Sequence, residues 1–397
     1  MTNTEQVLPA DSRLFEPAAL GALALPNRLV MAPLTRHRAG ADGVPGQLMA
    51  VHYAQRATAG LIIAEGTAPS AVGQAYPHIP GIHTAEQIAG WRRVTDAVRA
   101  GVGGGRGAAM FLQLEHGGRI GHPDTSGHVP LAPSAVRLPE QLHTPGGLRD
   151  APAPRAMTAE EIRSTIADFA TAARNAVEAG FAGVEVHAAN GFLPHQFLAR
   201  GTNLRTDEWG GPVENRIRFT VEVVRAVAGA IGRDRVGIRI SPGGTVNGIE
   251  EGDTGWIYPA LLTALAEIDP VYLHIVYADG QRDRFQEHRR AWPGTLIANQ
   301  VLSREQFAAD GGKAVAEALL AGGADLVSLG RGFVANPDFV ERLRTDAALN
   351  EIRSEFLMHV QGAEGYNDYP ALAHPVLATD AAPASAGPRG GRLPAAV

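Results

Sequence analysis

The chain has 397 residues, a length that suits either two domains or one large α/β barrel, and its 45% apolar content is ample for a sizeable core. Gly and Pro (47 and 27 residues) make it loop-rich without reaching disordered composition, and a net charge of −6 offers no basic field to gather phosphate backbones, so no nucleic-acid partner is expected. The absence of cysteine excludes disulfides, thiolate nucleophiles and Cys-ligated zinc or iron–sulfur centres.

In chain order, Met1 to Ser12 is polar and acidic without an apolar core, and no later apolar run approaches the ~18–20 residues of a membrane span. A cytoplasmic protein without a membrane partner is therefore expected. Eight short aliphatic runs follow, at Leu29–Pro33, Leu61–Glu65, Met110–Leu114, Gly183–His187, Val236–Ser241, Val271–Ile275, Thr295–Asn299 and Asp325–Leu329. Most are apolar on both alternate faces, as strands of a parallel sheet buried on both sides should be. Helical patterns lie between them, at Glu86–Ala100, Thr158–Ala179, Pro212–Ile231, Gly255–Ile268 and Ala314–Ala321. The clearest begins with Thr158 and Glu161 as a capping box and stops at Gly180. Lys313, the one lysine of the chain, opens the last of these helices and reads as a solvated charge rather than a Schiff-base nucleophile.

Eight strands alternating with helices, with no Gly-x-Gly-x-x-Gly turn after the first strand, predict a (β/α)8 TIM barrel over residues 1–376. The glycine-rich run Gly101–Gly105 follows a helix and precedes a strand, so it reads as a connector. Segment Glu115–Met157, after the third strand, is far longer than a usual βα loop and should form a lid or cavity wall. Residues 377–397 are rich in Ala, Pro and Gly and are expected to be a disordered tail.

In such a barrel the active site lies at the C-terminal ends of the strands. Polar residues gather there: Thr35, Gln113, Glu115, His187, Asn190, Arg239, Asn299 and Gln300. Gly330-Arg331-Gly332 follows the eighth strand, where backbone N–H groups and an arginine recurrently cradle phosphate, so the implied ligand carries a phosphate and a polar ring. His116 and His122 lie on an irregular loop without ligand spacing, so no metal site is expected.

The motifs Pro26-Asn27-Arg28-Leu29-Val30-Met31-Ala32-Pro33-Leu34-Thr35-Arg36, Gln113-Leu114-Glu115-His116-Gly117-Gly118-Arg119, His187-Ala188-Ala189-Asn190-Gly191, Arg205-Thr206-Asp207-Glu208-Trp209-Gly210-Gly211 and Gly362 to Pro370 stand in one order. Together they resemble the old yellow enzyme family from about Leu14 to Leu372. The resemblance implies an oxidoreductase that holds FMN at the barrel mouth, takes electrons from NADPH or NADH and passes them to an activated alkene. It assigns Pro33, Leu34 and Thr35 to the flavin, Gly66 as a backbone donor, Gln113 and Arg239 to the pyrimidine edge, and Gly330 and Arg331, with the backbone of Asn299 and Gln300, to the phosphate. His187 and Asn190 would anchor the substrate carbonyl, with Tyr76 and Tyr366 as cavity walls. Arg205, Asp207, Glu214, Asn215 and Arg216 match too, but their opposed charges read as a network bracing the loop after the fourth strand.

Three departures stand out. Phe192 replaces the tyrosine that protonates the substrate, Glu115 replaces a pocket tryptophan, and Asn299-Gln300 stands where a glycine is usual. By strand alternation Glu115 shares a face with Gln113 and so points into the site, unless it swings out to pair with Arg119. Three functions follow: an ene-reductase using Glu115 or water as the acid, a redox-neutral isomerase or desaturase of secondary metabolism using the same FMN, and a flavin-binding protein without turnover. The expected partner is a small-molecule substrate, and the oligomeric state, monomer or homodimer, stays open.

Overall fold

Eight parallel strands close on themselves in a computed structural model that describes residues 12–101, 107–277 and 282–372. They are β1 (Leu29–Met31), β2 (Leu61–Thr67), β3 (Ala109–Leu114), β4 (Gly183–Ala188), β5 (Val236–Ile240), β6 (Tyr272–Tyr277), β7 (Leu296–Gln300) and β8 (Leu326–Leu329). Each pairs with its neighbour in sequence, and β8 pairs with β1 to close the barrel. All eight expected strands are therefore present, with ends displaced by no more than two residues. The outer layer includes α1 (Gln47–Ala54), α2 (Ala85–Ala100), α3 (Ala159–Glu178), α4 (Val213–Ile231), α5 (Thr254–Ala266), α6 (Arg282–Ala291) and α7 (Lys313–Ala321). At the start of α3, Thr158 Oγ1 accepts from the Glu161 N–H and the Glu161 side chain accepts from the Thr158 N–H, the reciprocal cap that its sequence spells.

The barrel interior is filled in layers. Near the strand starts, Val30, Leu61, Ile63, Phe111, Tyr272, Ile297 and Leu326 form an apolar cluster with Leu20 and Leu25, which an N-terminal hairpin (Ala18–Leu20 with Leu23–Leu25) brings against it. The Phe111 and Tyr272 rings, 5.5 Å apart, fit inside because their strand neighbours have no side chain. A Cβ on Gly237 would lie 2.1 Å from the Tyr272 ring. Closing this end with hydrocarbon leaves the opposite end to carry the polar groups.

The 115–157 segment has structure of its own. It contains a helical turn (Pro123–Ser126), a two-residue pairing of Leu131–Ala132 with Arg155–Ala156, and a hairpin (Gln141–Thr144 with Gly147–Asp150). Leu138, Leu142 and Ala151 of this segment pack against Ala68, Ala75, Ile79, Ile120 and Phe192, so it builds a wall. Lys313 pairs with Asp346 at 2.5 Å. The Arg205–Asp207 pair, the Arg216–Asp253 pair and the bonds from Asn215 to the Asp207 and Gly210 carbonyls brace the loop after β4. Of the glycine-rich connector only Gly101 lies within the described residues, and the tail 377–397 lies outside them. No helix among the described residues is long and apolar enough to cross a membrane.

Candidate active site

Above the apolar layer a chain of buried polar side chains crosses the barrel. Gln113 Nε2 donates to Glu185 Oε1 (2.8 Å), Glu185 Oε2 meets His274 Nδ1 (2.8 Å), and Arg239 lies 2.7 Å from His274 Nε2. Arg239 also donates to Asn299 Oδ1 (2.7 Å), while Asn299 Nδ2 donates to the Ser328 carbonyl (2.9 Å). Burial, followed by the charge of Arg239, lowers His274 to about 4, so it is neutral and passes a hydrogen bond to Glu185. Burial works to raise Glu185, but its contacts with His274 and Arg239 outweigh this and hold it below the usual carboxylate range. The network fixes one cation, Arg239, at the mouth, and commits the Asn299 side chain to holding it.

The next residues outward form a buried corner. The β3 ladder ends at Leu114, but the Glu115 N–H still donates to the Thr67 carbonyl (2.9 Å), so the alternation continues one residue further and turns the carboxyl inward. Its floor is Gly66: a Cβ there would lie 2.2 Å from Glu115 Oε2. Glu115 Oε2 sits 3.8 Å from His187 Nε2, both side chains are buried, and neither Glu115 Oε1 nor His187 Nδ1 finds a hydrogen-bond partner among the described residues. Arg119 is committed elsewhere, donating to the Asn247 and Gly248 carbonyls at 2.8 Å. Burial, and then the charge of Glu65, raises Glu115 to about 8; burial and Arg239 push His187 well below the usual histidine value. At neutral pH the corner therefore holds a mostly protonated carboxyl beside a neutral imidazole.

The rest of the corner is set by two turns. Asn190 adopts a left-handed conformation (φ 53°), which asparagine tolerates, and its N–H donates to Ser241 Oγ at 2.9 Å. Asn247 Nδ2 holds the Asn190 carbonyl (2.8 Å), and the same side chain meets the Tyr76 hydroxyl. The next residue's N–H, from Gly191, donates to His195 Nδ1 (3.1 Å), and His195 Nε2 is 2.9 Å from Glu251 in a buried cluster. Phe192 lies 4.7 Å from the His187 ring and joins the apolar wall with Tyr76. Burial, then the nearby Glu115 charge, raises Tyr76 above its ordinary value.

Pro33, Leu34 and Thr35 are half-buried at the mouth, where Ala32, Pro33, Leu34, Arg239, Asn299, Gln300, Gly330 and Arg331 help line a cavity of about 160 Å³. The exposed Arg331 guanidinium donates no hydrogen bond among the described residues, so this cavity has a fixed cation at one end and a free one at the other. That donor set fits an anionic group at Arg331 and an electron-accepting ring beside Arg239, as FMN requires. A larger cavity, about 730 Å³, lies outward between Arg304 and Leu357, shares only Arg331 with the first and does not reach Glu115 or His187. Tyr366 is fully buried, stacked on His52 at 3.9 Å with the Arg36 and Arg38 guanidinium groups over its ring. His116 Nδ1 accepts from the Gly118 N–H and His122 Nδ1 from the Asp124 N–H, so each serves its own turn.

Several residues of this site carry no signal in the sequence. Gly66 as a floor, Asn247 as a bridge and the Glu185–His274 pair depend on contacts between distant strands. Glu65 could have been found as a carboxylate ending an apolar run; it is buried, bonded to the Tyr53 hydroxyl (3.1 Å), and raised by burial to about 7.

The closed parallel barrel carries at its mouth a cavity flanked by Arg239 and Arg331, with a buried His187 and a half-buried Asn190 after β4, an arrangement that fits a flavin-dependent oxidoreductase. The chain matches the NADH:flavin oxidoreductase / NADH oxidase family over residues 13–350 and belongs to that family, which the old yellow enzymes typify. It is 39% identical to 12-oxophytodienoate reductase 7 of Oryza sativa subsp. japonica, covering 91% of this chain and 95% of that protein. It is also 39% identical to a probable flavin mononucleotide-dependent alkene reductase of Leishmania infantum, covering 90% and 97%. The old yellow enzyme homologue of Zymomonas mobilis superposes with a TM-score of 0.84 at 38% identity over 90% of this chain and 99% of its own. Morphinone reductase gives 0.82 at 41% identity over 91% and 97%. The protein is thus an FMN-dependent oxidoreductase of the ene-reductase type, served by NADH or NADPH.

Proposed function

We propose that this enzyme reduces the C=C bond of α,β-unsaturated carbonyl compounds and that Glu115 delivers the proton. The observation that carries the reading is the buried Glu115 carboxyl 3.8 Å from His187, in a corner where Phe192 presents only ring carbon. The relatives named for oxophytodienoate and alkene reduction support a conjugated alkene as substrate.

His187, kept neutral, and the Asn190 amide offer hydrogen bonds to the substrate carbonyl oxygen, where negative charge develops as the β-carbon is reduced. FMN, when bound, supplies the hydride chemistry. Pro33, Leu34, Thr35 and the Gly66 amide would line its ring, Gln113 and Arg239 its pyrimidine edge, and Gly330, Arg331 and the backbone of Asn299 and Gln300 its phosphate. Glu115, protonated at neutral pH, gives its proton to the α-carbon and is recharged from water. Tyr76 and Phe192 shape the wall above. Use of the same site redox-neutrally as an isomerase, or in the reverse direction as a desaturase, in secondary metabolism is the second reading; the missing tyrosine at Phe192 favours it.

The test is anaerobic turnover of cyclohexenone with NADH or NADPH in D2O. The proposal expects one nicotinamide consumed per saturated ketone formed, with deuterium at the α-carbon. An unreduced isomer as the sole product, or nicotinamide left unconsumed, would overturn it.

A further inference from the structure

A carboxyl that donates a proton in one protonation state is a base in the other, and the corner around Glu115 is built to use both. Among the described residues its Oε1 is buried without a partner and no arginine or lysine pairs with the carboxyl. Gly66 leaves room for the carboxyl to lie flat against β2, and Phe192 and Tyr76 keep the wall above it apolar. The neutral His187 imidazole stands beside it, Nε2 3.8 Å from Glu115 Oε2, and Asn190, three residues further along the chain, is the second donor of the proposed carbonyl anchor. A lone buried carboxyl next to neutral oxyanion donors is the minimum equipment for moving a proton along an enone, and that chemistry needs neither hydride nor oxidant.

We propose that the pocket has a second activity, the conversion of β,γ-unsaturated ketones to their conjugated α,β-isomers by a proton shuttle on Glu115. This rests on the same carbonyl anchor as the reduction reading but uses no electrons from the nicotinamide. The Glu115 carboxylate removes an α-proton, and the C–H electron pair moves into a dienolate whose oxygen is held by His187 and Asn190. The carboxyl then returns that proton to the γ-carbon. The carbonyl re-forms, the double bond lies between the α- and β-carbons, and the carboxylate is regenerated, so atoms and charge balance with no net redox change. Because burial places Glu115 near 8, both of its forms are populated in the neutral to mildly alkaline range. The class of substrate is a small cyclic or acyclic β,γ-enone, and the product is a compound that the same site can go on to reduce.

The experiment uses the air-oxidised holoenzyme with no nicotinamide present, so that hydride transfer has no donor. The β,γ-unsaturated isomer of cyclohexenone is added, and the ultraviolet absorbance of the conjugated product is followed, with proton NMR to locate the migrated hydrogen. Wild-type enzyme should isomerise it, and Glu115→Gln should slow the reaction ~100-fold or more, the usual range for removing a general base. Gly66→Ala, which displaces the carboxyl while leaving it present, should slow it as well. Flavin absorbance and retention of a para-substituted phenol in each variant report that fold and anchor survive. No isomerisation by wild-type enzyme, or an undiminished rate in Glu115→Gln, overturns the proposal. Reduction of cyclohexenone with NADH is measured in parallel: its failure would count against the reduction reading, whereas intact reduction without isomerisation would count against the shuttle alone.

Discussion

In the proposed reduction Glu115 and Phe192 exchange the roles that the family resemblance gives their positions: Phe192 has no proton to donate, and Glu115, in place of an aromatic wall, supplies it. Gly66 makes the exchange possible, since any side chain there would occupy the carboxyl's place. The pH dependence follows with a definite sign. A carboxyl raised to about 8 by burial, with Glu65, Tyr76 and His187 as its titratable neighbours, keeps its proton through neutrality and loses it above. The enone-dependent half-reaction should therefore be level up to about pH 7 and fall roughly tenfold per unit well above pH 8. The shuttle proposed for the ionised carboxyl should rise across the same interval. Rapid-mixing measurements of both across pH 6 to 10 check this, and parallel profiles would contradict it.

At the scale of elements, the 115–157 segment and the stretch before Gly362 meet over the site. His143 of the hairpin stacks on His359 (3.5 Å between ring centroids), which in turn packs at a tilt against His37 at 4.2 Å, two residues past Thr35. Burial and the neighbouring His359, Arg38 and His143 lower His37 to about 4 even though its Nδ1–H donates to the Pro77 carbonyl; partial desolvation in the ring cluster, followed by His143, brings the more exposed His359 to about 4. A histidine depressed from 6.5 in the folded protein is protonated first in the unfolded chain, so its contribution to stability is present above 6.5 and is lost as pH falls towards 4. His359→Phe keeps a ring in the stack without a proton to take. Melting temperatures measured between pH 7 and pH 4 should fall less steeply in that variant than in wild type; identical slopes would show that the stack does not hold the wall.

How much of this was legible depends on the range of the interaction. The strands, the capped helix at Thr158 and the list of mouth residues are local patterns, readable because short continuous apolar runs and the 3.6-residue stripe are written in adjacent positions. The inward turn of Glu115 was half legible: alternation gave its direction, but only the Thr67 carbonyl, on another strand, keeps the ladder going long enough to enforce it. The Arg239–Asn299 bond, the Asn247 bridge and the Gly66 floor join residues tens of positions apart, and no single stretch of chain encodes them. The placement of Tyr366 behind Arg36 and Arg38 was hidden for the same reason.

For the whole molecule, the barrel separates tasks by depth: hydrocarbon near the strand starts, a hydrogen-bonded chain of polar side chains above it, and reacting groups at the mouth. The cofactor is expected to tie the mouth together, since a ligand bound only by the folded chain stabilises it by mass action. Arg331, which donates no hydrogen bond among the described residues and stands at the outer end of the 160 Å³ cavity, should matter for retention rather than chemistry. Arg331→Ala removes a charge-assisted contact worth ~1.5–3 kcal/mol, so FMN affinity should drop about 10- to 100-fold. Fluorescence titration of the stripped protein with FMN measures it, with unaltered affinity as the contrary outcome.

The central claim, that Glu115 is the acid of the reduction, is tested most directly by stopped-flow measurement of the two half-reactions in Glu115→Gln. Bleaching of the flavin absorbance by NADH should proceed at the wild-type rate, because His187, Arg239 and the flavin contacts are untouched. Return of the absorbance on mixing with cyclohexenone should slow by ~10²-fold or more. An oxidative half-reaction as fast as in the wild type would contradict the account.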